Sequence, residues 1–175
     1  MKKLLSLLAV LTLMFAVAGC STDNKDNADK AAAEKKEENT AELTDQVKSK
    51  MYNAARVAEG KVNDVFAHDV AADEETPILN ASFPDEASAV AFLSKYYSED
   101  VAKEIYTYYA TGEKTEEGQV IVKADPFFTT TLLDTTLEDV TIEGDANKAT
   151  VKTPENVTYT VELVDNKYVV TGVQK

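Results

Sequence analysis

The chain has 175 residues, with 18 Lys plus Arg against 31 Asp plus Glu and a formal charge of −13 at pH 7. That length suits one domain with one core plus appendages, and an acid excess spread along the sequence makes nucleic acid or an anionic membrane surface a poor partner. A single cysteine, Cys20, excludes a disulfide within the chain, and a single histidine, His68, leaves a zinc site without the further His or Cys ligands it would need.

Lys2 and Lys3 precede an apolar run from Leu4 to Ala18, broken only by Ser6 and Thr12, and the run closes on Val17-Ala18-Gly19-Cys20. It is short for a bilayer span and ends on small residues that a signal peptidase accommodates, so residues 1–19 are expected to be a signal peptide. An aliphatic residue, two small ones and a cysteine resemble the lipobox of bacterial lipoproteins. That resemblance implies diacylglycerol on the Cys20 thiol and cleavage just before it. Two acyl chains, at about 0.8 kcal/mol per buried methylene, hold a protein on a membrane stably. The expected location is the extracytoplasmic face of the cell membrane, reached through the lipid on Cys20. Seventeen lysines against the single Arg56 associate with a low-GC Gram-positive source. With Lys2 and Lys3 removed, 16 basic side chains face 31 acidic ones and the formal charge becomes −15.

Residues 20–42 are polar and rich in Asn, Asp, Lys, Glu and Ala, a composition that buries too little apolar surface to offset ordering entropy. They read as a flexible linker with a reach on the order of 25 Å. Asp23, Asn27, Asp29 and Glu34 imitate an EF-hand, but Lys25 occupies a ligand position and Ala28 replaces the turn glycine, so no metal is expected.

Residues 43–175 are expected to form a single domain. Leu43, Val47, Met51, Ala54, Ala58, Val62 and Val65 recur at three- and four-residue spacings and predict a first helix, with Gly60 marking a bend. Residues 69–81 read as a loop with a short extended piece at Ile78 and Leu79. A second helix starts near Pro84, and Ser98 reads as the N-cap of a third, which stops before Gly112. Beyond Gly118 the composition turns to β-formers. A strand is expected at 119–123, then strands near 136–143, 147–153, 157–164 and 167–173, separated by turn residues. In 157–164 the residues Val157, Tyr159, Val161 and Leu163 alternate with polar ones, so that face should be buried. The fold class is therefore α+β, with two to three N-terminal helices packed on one face of a C-terminal antiparallel β-meander.

No catalytic residue stands out. His68 sits at a helix end with no nucleophile elbow in the chain, and the six glycines form neither a phosphate loop nor a dinucleotide fingerprint. Nothing in the sequence selects a pair among the many carboxylates. No cofactor is expected. The densest cluster is aromatic: Tyr96, Tyr97, Tyr106, Tyr108 and Tyr109 fall within fourteen residues. Such rings pack between helices and sheet or serve as interface anchors. Tyr96, Tyr97, Tyr106 and Tyr109 are the candidate partner-binding residues. Asp125-Pro126-Phe127-Phe128 either adds to that surface or caps the sheet.

The stretch Phe83-Pro84-Asp85 through Phe92-Leu93, Tyr96-Tyr97-Ser98, Ala102 and Ile105-Tyr106, followed by Val120-Ile121-Val122, resembles the IseA-type inhibitors of peptidoglycan DL-endopeptidases of Gram-positive bacteria. That resemblance spans about Phe83 to Lys123 and implies an acidic, non-catalytic protein that blocks the cleft of a cell-wall hydrolase. The lipobox departs from that pattern. The architecture also resembles the cone-shaped nuclear transport factor class, in which a long helix and a curved sheet enclose a pocket. The expected function is a membrane-anchored extracytoplasmic lipoprotein whose non-catalytic domain binds a basic envelope protein, such as a cell-wall hydrolase, as inhibitor or regulator, with no nucleic-acid partner. The alternatives are a small-molecule module with a pocket between helices and sheet, and a carboxylate-dependent hydrolase.

Overall fold

Helix α1 spans Asp45–Phe66 and is continuous through Gly60. Thr44 caps its start, its Oγ1 accepting from the backbone N–H of Val47 at 3.3 Å. The apolar stripe lies where the periodicity put it, with Met51, Ala58, Val62 and Val65 fully buried, and Tyr52, Ala55 and Phe66 widening it. These coordinates come from a computed structural model that describes residues 41–66, 69–129 and 131–175. The expected signal peptide, Cys20, the EF-hand-like stretch and His68 lie outside the described residues.

Helix α2, Glu86–Leu93, is fixed by a capping box. The Asp85 carboxylate accepts from the Ser88 N–H at 2.8 Å, while the Ser88 hydroxyl accepts from the Asp85 N–H at 3.3 Å. Helix α3, Glu99–Tyr109, has Ser98 as its N-cap, as its sequence predicts. The turn between them is tied to the far edge of the main sheet: Ser98 N–H donates to the Val170 carbonyl and Val170 N–H to the Tyr96 carbonyl, at 2.8 and 2.9 Å.

The C-terminal meander is present as four antiparallel strands in spatial order β5 (Thr141–Gly144), β6 (Lys148–Lys152), β7 (Thr158–Val164) and β8 (Lys167–Gln174). Its Ala149, Val151, Tyr159, Val161 and Val170 face α1 and α3 and are buried. A bulge in β8 follows from the register, since Thr160 pairs with Gly172 and Val161 with Val170. Leu163 departs from the expected alternation and is 38 % exposed, because it stands at the hairpin end of the sheet, one pair from the turn. Residues 136–140 are not strand: Thr136 and Asp139 cap a 3-10 turn at Leu137–Asp139, after another at Leu132–Asp134.

A second sheet is an addition to the expected architecture. It is ordered β1 (Asp69–Val70), β2 (Pro77–Ile78), β4 (Val120–Val122), β3 (Ala110–Lys114). The expected 119–123 strand is β4, and the expected loop supplies β1 and β2. Strand β3 begins directly where α3 ends, and Gly112 sits inside it with φ of 83°, where the register with β4 shifts. Met51, Leu93, Tyr97, Ile105, Tyr159 and Val170 belong to one continuous core that fills the space between helices and sheet. Burying each side chain of that size stabilises the fold by about 1.5–3 kcal/mol. Among the described residues no helix is long and apolar enough to cross a membrane.

Candidate functional site

Helix α2 reads Glu-Ala-Ser-Ala-Val-Ala-Phe-Leu, more apolar than one buried face requires. The core takes Ala89, Val90 and Leu93, which leaves Ala87 and Ala91 on the outside. Beside them runs α3. The two helices form an open groove of about 610 Å³ lined by Ala87, Val90, Ala91 and Ser94 below and by Glu86, Glu99 and Lys103 above. Asp85 and Asp100 adjoin the two glutamates in sequence, so the rim is acidic.

The rim charges are well placed. Lys103 Nζ lies 2.6 Å from Glu99, one helical turn away. The hydrogen bond and charge of Lys103 hold the Glu99 carboxyl below its ordinary range, and Glu99 in turn raises the lysine. Hydrogen bonds from Ser88 lower Asp85 likewise. These acids are ionised at neutral pH and solvated, and an exposed pair of this kind contributes little stability. Their effect is the sign of the local field. At the floor, the Ser94 hydroxyl is shielded from solvent and has no hydrogen-bond partner among the described residues. A buried hydroxyl left without a partner is costly, and this one is closed off from the groove as well as from solvent. An apolar floor and an acidic rim suit an apolar side chain carried on a basic peptide segment.

The four candidate tyrosines do not share a surface. Tyr97, Tyr106 and Tyr109 are buried and Tyr96 is half-buried. Tyr109 stacks on Phe66 with ring centroids 4.2 Å apart, and its hydroxyl accepts from the Phe127 N–H at 2.8 Å. Tyr106 packs against Phe66 with ring centroids 6.2 Å apart, and burial pushes its phenol upward, with the charges of Glu86 and Asp85 adding to it. Burial likewise pushes Tyr97 well above its ordinary value, with Glu59 contributing. Phe127 is buried and Phe128 stacks on Tyr159 at 5.7 Å, so the Asp125–Phe128 segment caps the sheet.

Glu59 is an acidic side chain buried inside the domain. Its Oε2 accepts from the Tyr159 hydroxyl at 2.8 Å and from the Leu132 N–H at 2.9 Å, joining α1 to the sheet and to the first 3-10 turn. No sequence signal marked it, because a glutamate next to an apolar stripe looks like a solvated neighbour. Two acids, Asp139 and Glu143, also line a polar groove on the outer side of the meander. There the Asp139 carboxylate is taken up by the hydroxyl and N–H of Thr136, which lower it, the opposite of what a general acid requires.

No protein-family model matches the chain, and neither a curated protein nor a solved structure matches it.

Proposed function

We propose that this chain is a lipid-anchored envelope protein whose 43–175 domain is a non-catalytic binding module. It takes a basic protein partner, in the first instance a cell-wall hydrolase, at the α2–α3 groove. The observation that carries the reading is the pairing of an apolar floor at Ala87, Val90 and Ala91 with the carboxylates of Glu86 and Glu99 on the rim. Acidic rims steer a basic partner and accelerate its encounter, while the apolar floor supplies the part of affinity that salt does not screen. The signal peptide and the lipid on Cys20 are part of the proposal and would hold the module beside the membrane, where envelope hydrolases work.

The test uses a purified basic DL-endopeptidase and the clearing of peptidoglycan suspensions. Wild-type protein should inhibit clearing, and Ala91→Arg should weaken inhibition about ten-fold or more, because the new side chain obstructs the apolar floor and offsets part of the rim's negative charge. Ala91 is exposed on a helix, so the variant should melt with the wild type. Equal inhibition by Ala91→Arg, or none by wild type, would remove the groove from the mechanism.

A further inference from the structure

Ala41, the first described residue, lies at one end of the main sheet. Its carbonyl accepts from the Ala146 N–H at 2.9 Å in the β5–β6 turn, and the Ala146 carbonyl accepts from the Tyr168 hydroxyl at 2.9 Å. The β7–β8 hairpin ends beside them, the Leu163 N–H donating to the Asn147 carbonyl at 2.7 Å. This end gathers uncovered apolar side chains. Among the described residues the exposed large hydrophobics are Val57, Val70, Leu163 and Val164, and only Val70 belongs elsewhere. Leu163 and Val164 are 38 and 45 % exposed and stand opposite Tyr168 and Lys167 in register. Val57 borders the same open depression as Tyr168, together with Lys50, Lys95 and Lys167. Those three lysines are exposed, and among the described residues none lies within 4.0 Å of a carboxylate.

We propose that this end of the domain rests on the bilayer holding the Cys20 lipid, with Leu163 and Val164 entering its interfacial layer. The inference rests on the lipid-anchored reading above. Chain entry selects the bilayer as the occupant. A linker with an expected reach on the order of 25 Å joins the lipid to the end of the sheet where Ala41 sits. That tether keeps the membrane at high effective concentration there, so contacts too weak to recruit a free protein suffice. The side chains suit an interface between oil and water: aliphatic groups at the hairpin end, a tyrosine ring behind them, and lysines whose stems lie on apolar surface while their ammonium groups reach lipid phosphates. An open, shallow surface is what a broad partner can cover. Most acids at the hairpin end are engaged. Asp145 accepts from the Asn147 and Lys148 N–H groups, and Glu162 pairs with Lys148 at 2.8 Å, which leaves Asp165. Between residues 41 and 175 there are 25 acidic and 12 basic side chains, so an anionic leaflet repels the domain as a whole and favours approach by the end that carries free lysines. This surface shares no residue with the α2–α3 groove.

The chain contains no tryptophan, so Asn147→Trp places a single reporter in the β5–β6 turn and Glu116→Trp one between β3 and β4, both at exposed positions. The full chain, produced in a Gram-positive host, is reconstituted in vesicles of phosphatidylcholine and phosphatidylglycerol that carry nitroxide-labelled head groups. Quenching should be about three-fold or more stronger for Asn147→Trp than for Glu116→Trp. Adding Leu163→Asn/Val164→Asn should remove most of that excess while the protein melts with its parent. Lys50→Gln/Lys95→Gln/Lys167→Gln, which leaves the hairpin intact, should reduce the excess at low salt. Equal quenching at the two positions, or an excess that survives both sets of substitutions, would overturn the proposal and leave the anchor standing. Anchoring is read separately, as flotation of the protein with the vesicles. Chains that do not float would remove the lipid-anchored reading and this proposal with it.

Discussion

Glu59 shows how a single residue can join three elements. Its carboxylate accepts from Tyr159 and from the Leu132 backbone, so truncation to Ala leaves a buried hydroxyl and a buried N–H without an acceptor. Each orphan costs about 1–3 kcal/mol, and we expect Glu59→Ala to lose about 3 kcal/mol in urea denaturation. Glu59→Gln keeps an acceptor oxygen at the same reach and should lose about 1 kcal/mol. An Ala variant as stable as wild type would show that the network contributes nothing net. Tyr106 and Tyr109 make a related point, since replacing them would test the core and not an interface.

At the scale of elements, legibility followed length. Helix α1 has six turns over which a 3.6-residue period can be read, and β7 has seven residues of alternation, so both are visible in the sequence. The Ser98 cap is visible because one side chain decides it. Strands β1 and β2 have two residues each and no period, and β3 is Ala-Thr-Gly-Glu-Lys, a composition that becomes strand only because β4 lies beside it. The α2–α3 groove was illegible for the same reason: its floor comes from one helix and half of its rim from the other. The sequence did carry a trace of it, in a short α2 apolar on more faces than a core can cover. At Gly60 the helical hydrogen bonding continues, and an added Cβ would meet only Leu133 Cδ2 at 3.9 Å. Gly60→Ala should therefore raise stability by up to about 1 kcal/mol, measured as an upward shift of the urea midpoint. A downward shift would mean that α1 needs the glycine.

For the whole molecule, an expected lipid tether leads to a domain with an acidic, partly apolar groove between α2 and α3. The same domain buries five of its eight tyrosines. Burial raises the phenols of Tyr97, Tyr106, Tyr109 and Tyr159, with Glu59 adding to the last. An unfolded chain releases phenolic protons near about pH 10 while these four keep theirs in the fold, so the folded state binds more protons and stability falls as pH rises past about 10. Phenolate absorbance should rise in two steps, the second coinciding with loss of the far-ultraviolet helical signal. A single step for all eight tyrosines before unfolding would contradict the burial described here.

The most direct test of the central claim is a nuclear magnetic resonance titration of the isotopically labelled protein with a purified basic cell-wall hydrolase. The account predicts amide shifts concentrated at Ala87, Val90, Ala91, Ser94 and the first turn of α3, diminishing but not vanishing as salt is raised. Shifts centred elsewhere, or none at saturating hydrolase, would contradict it.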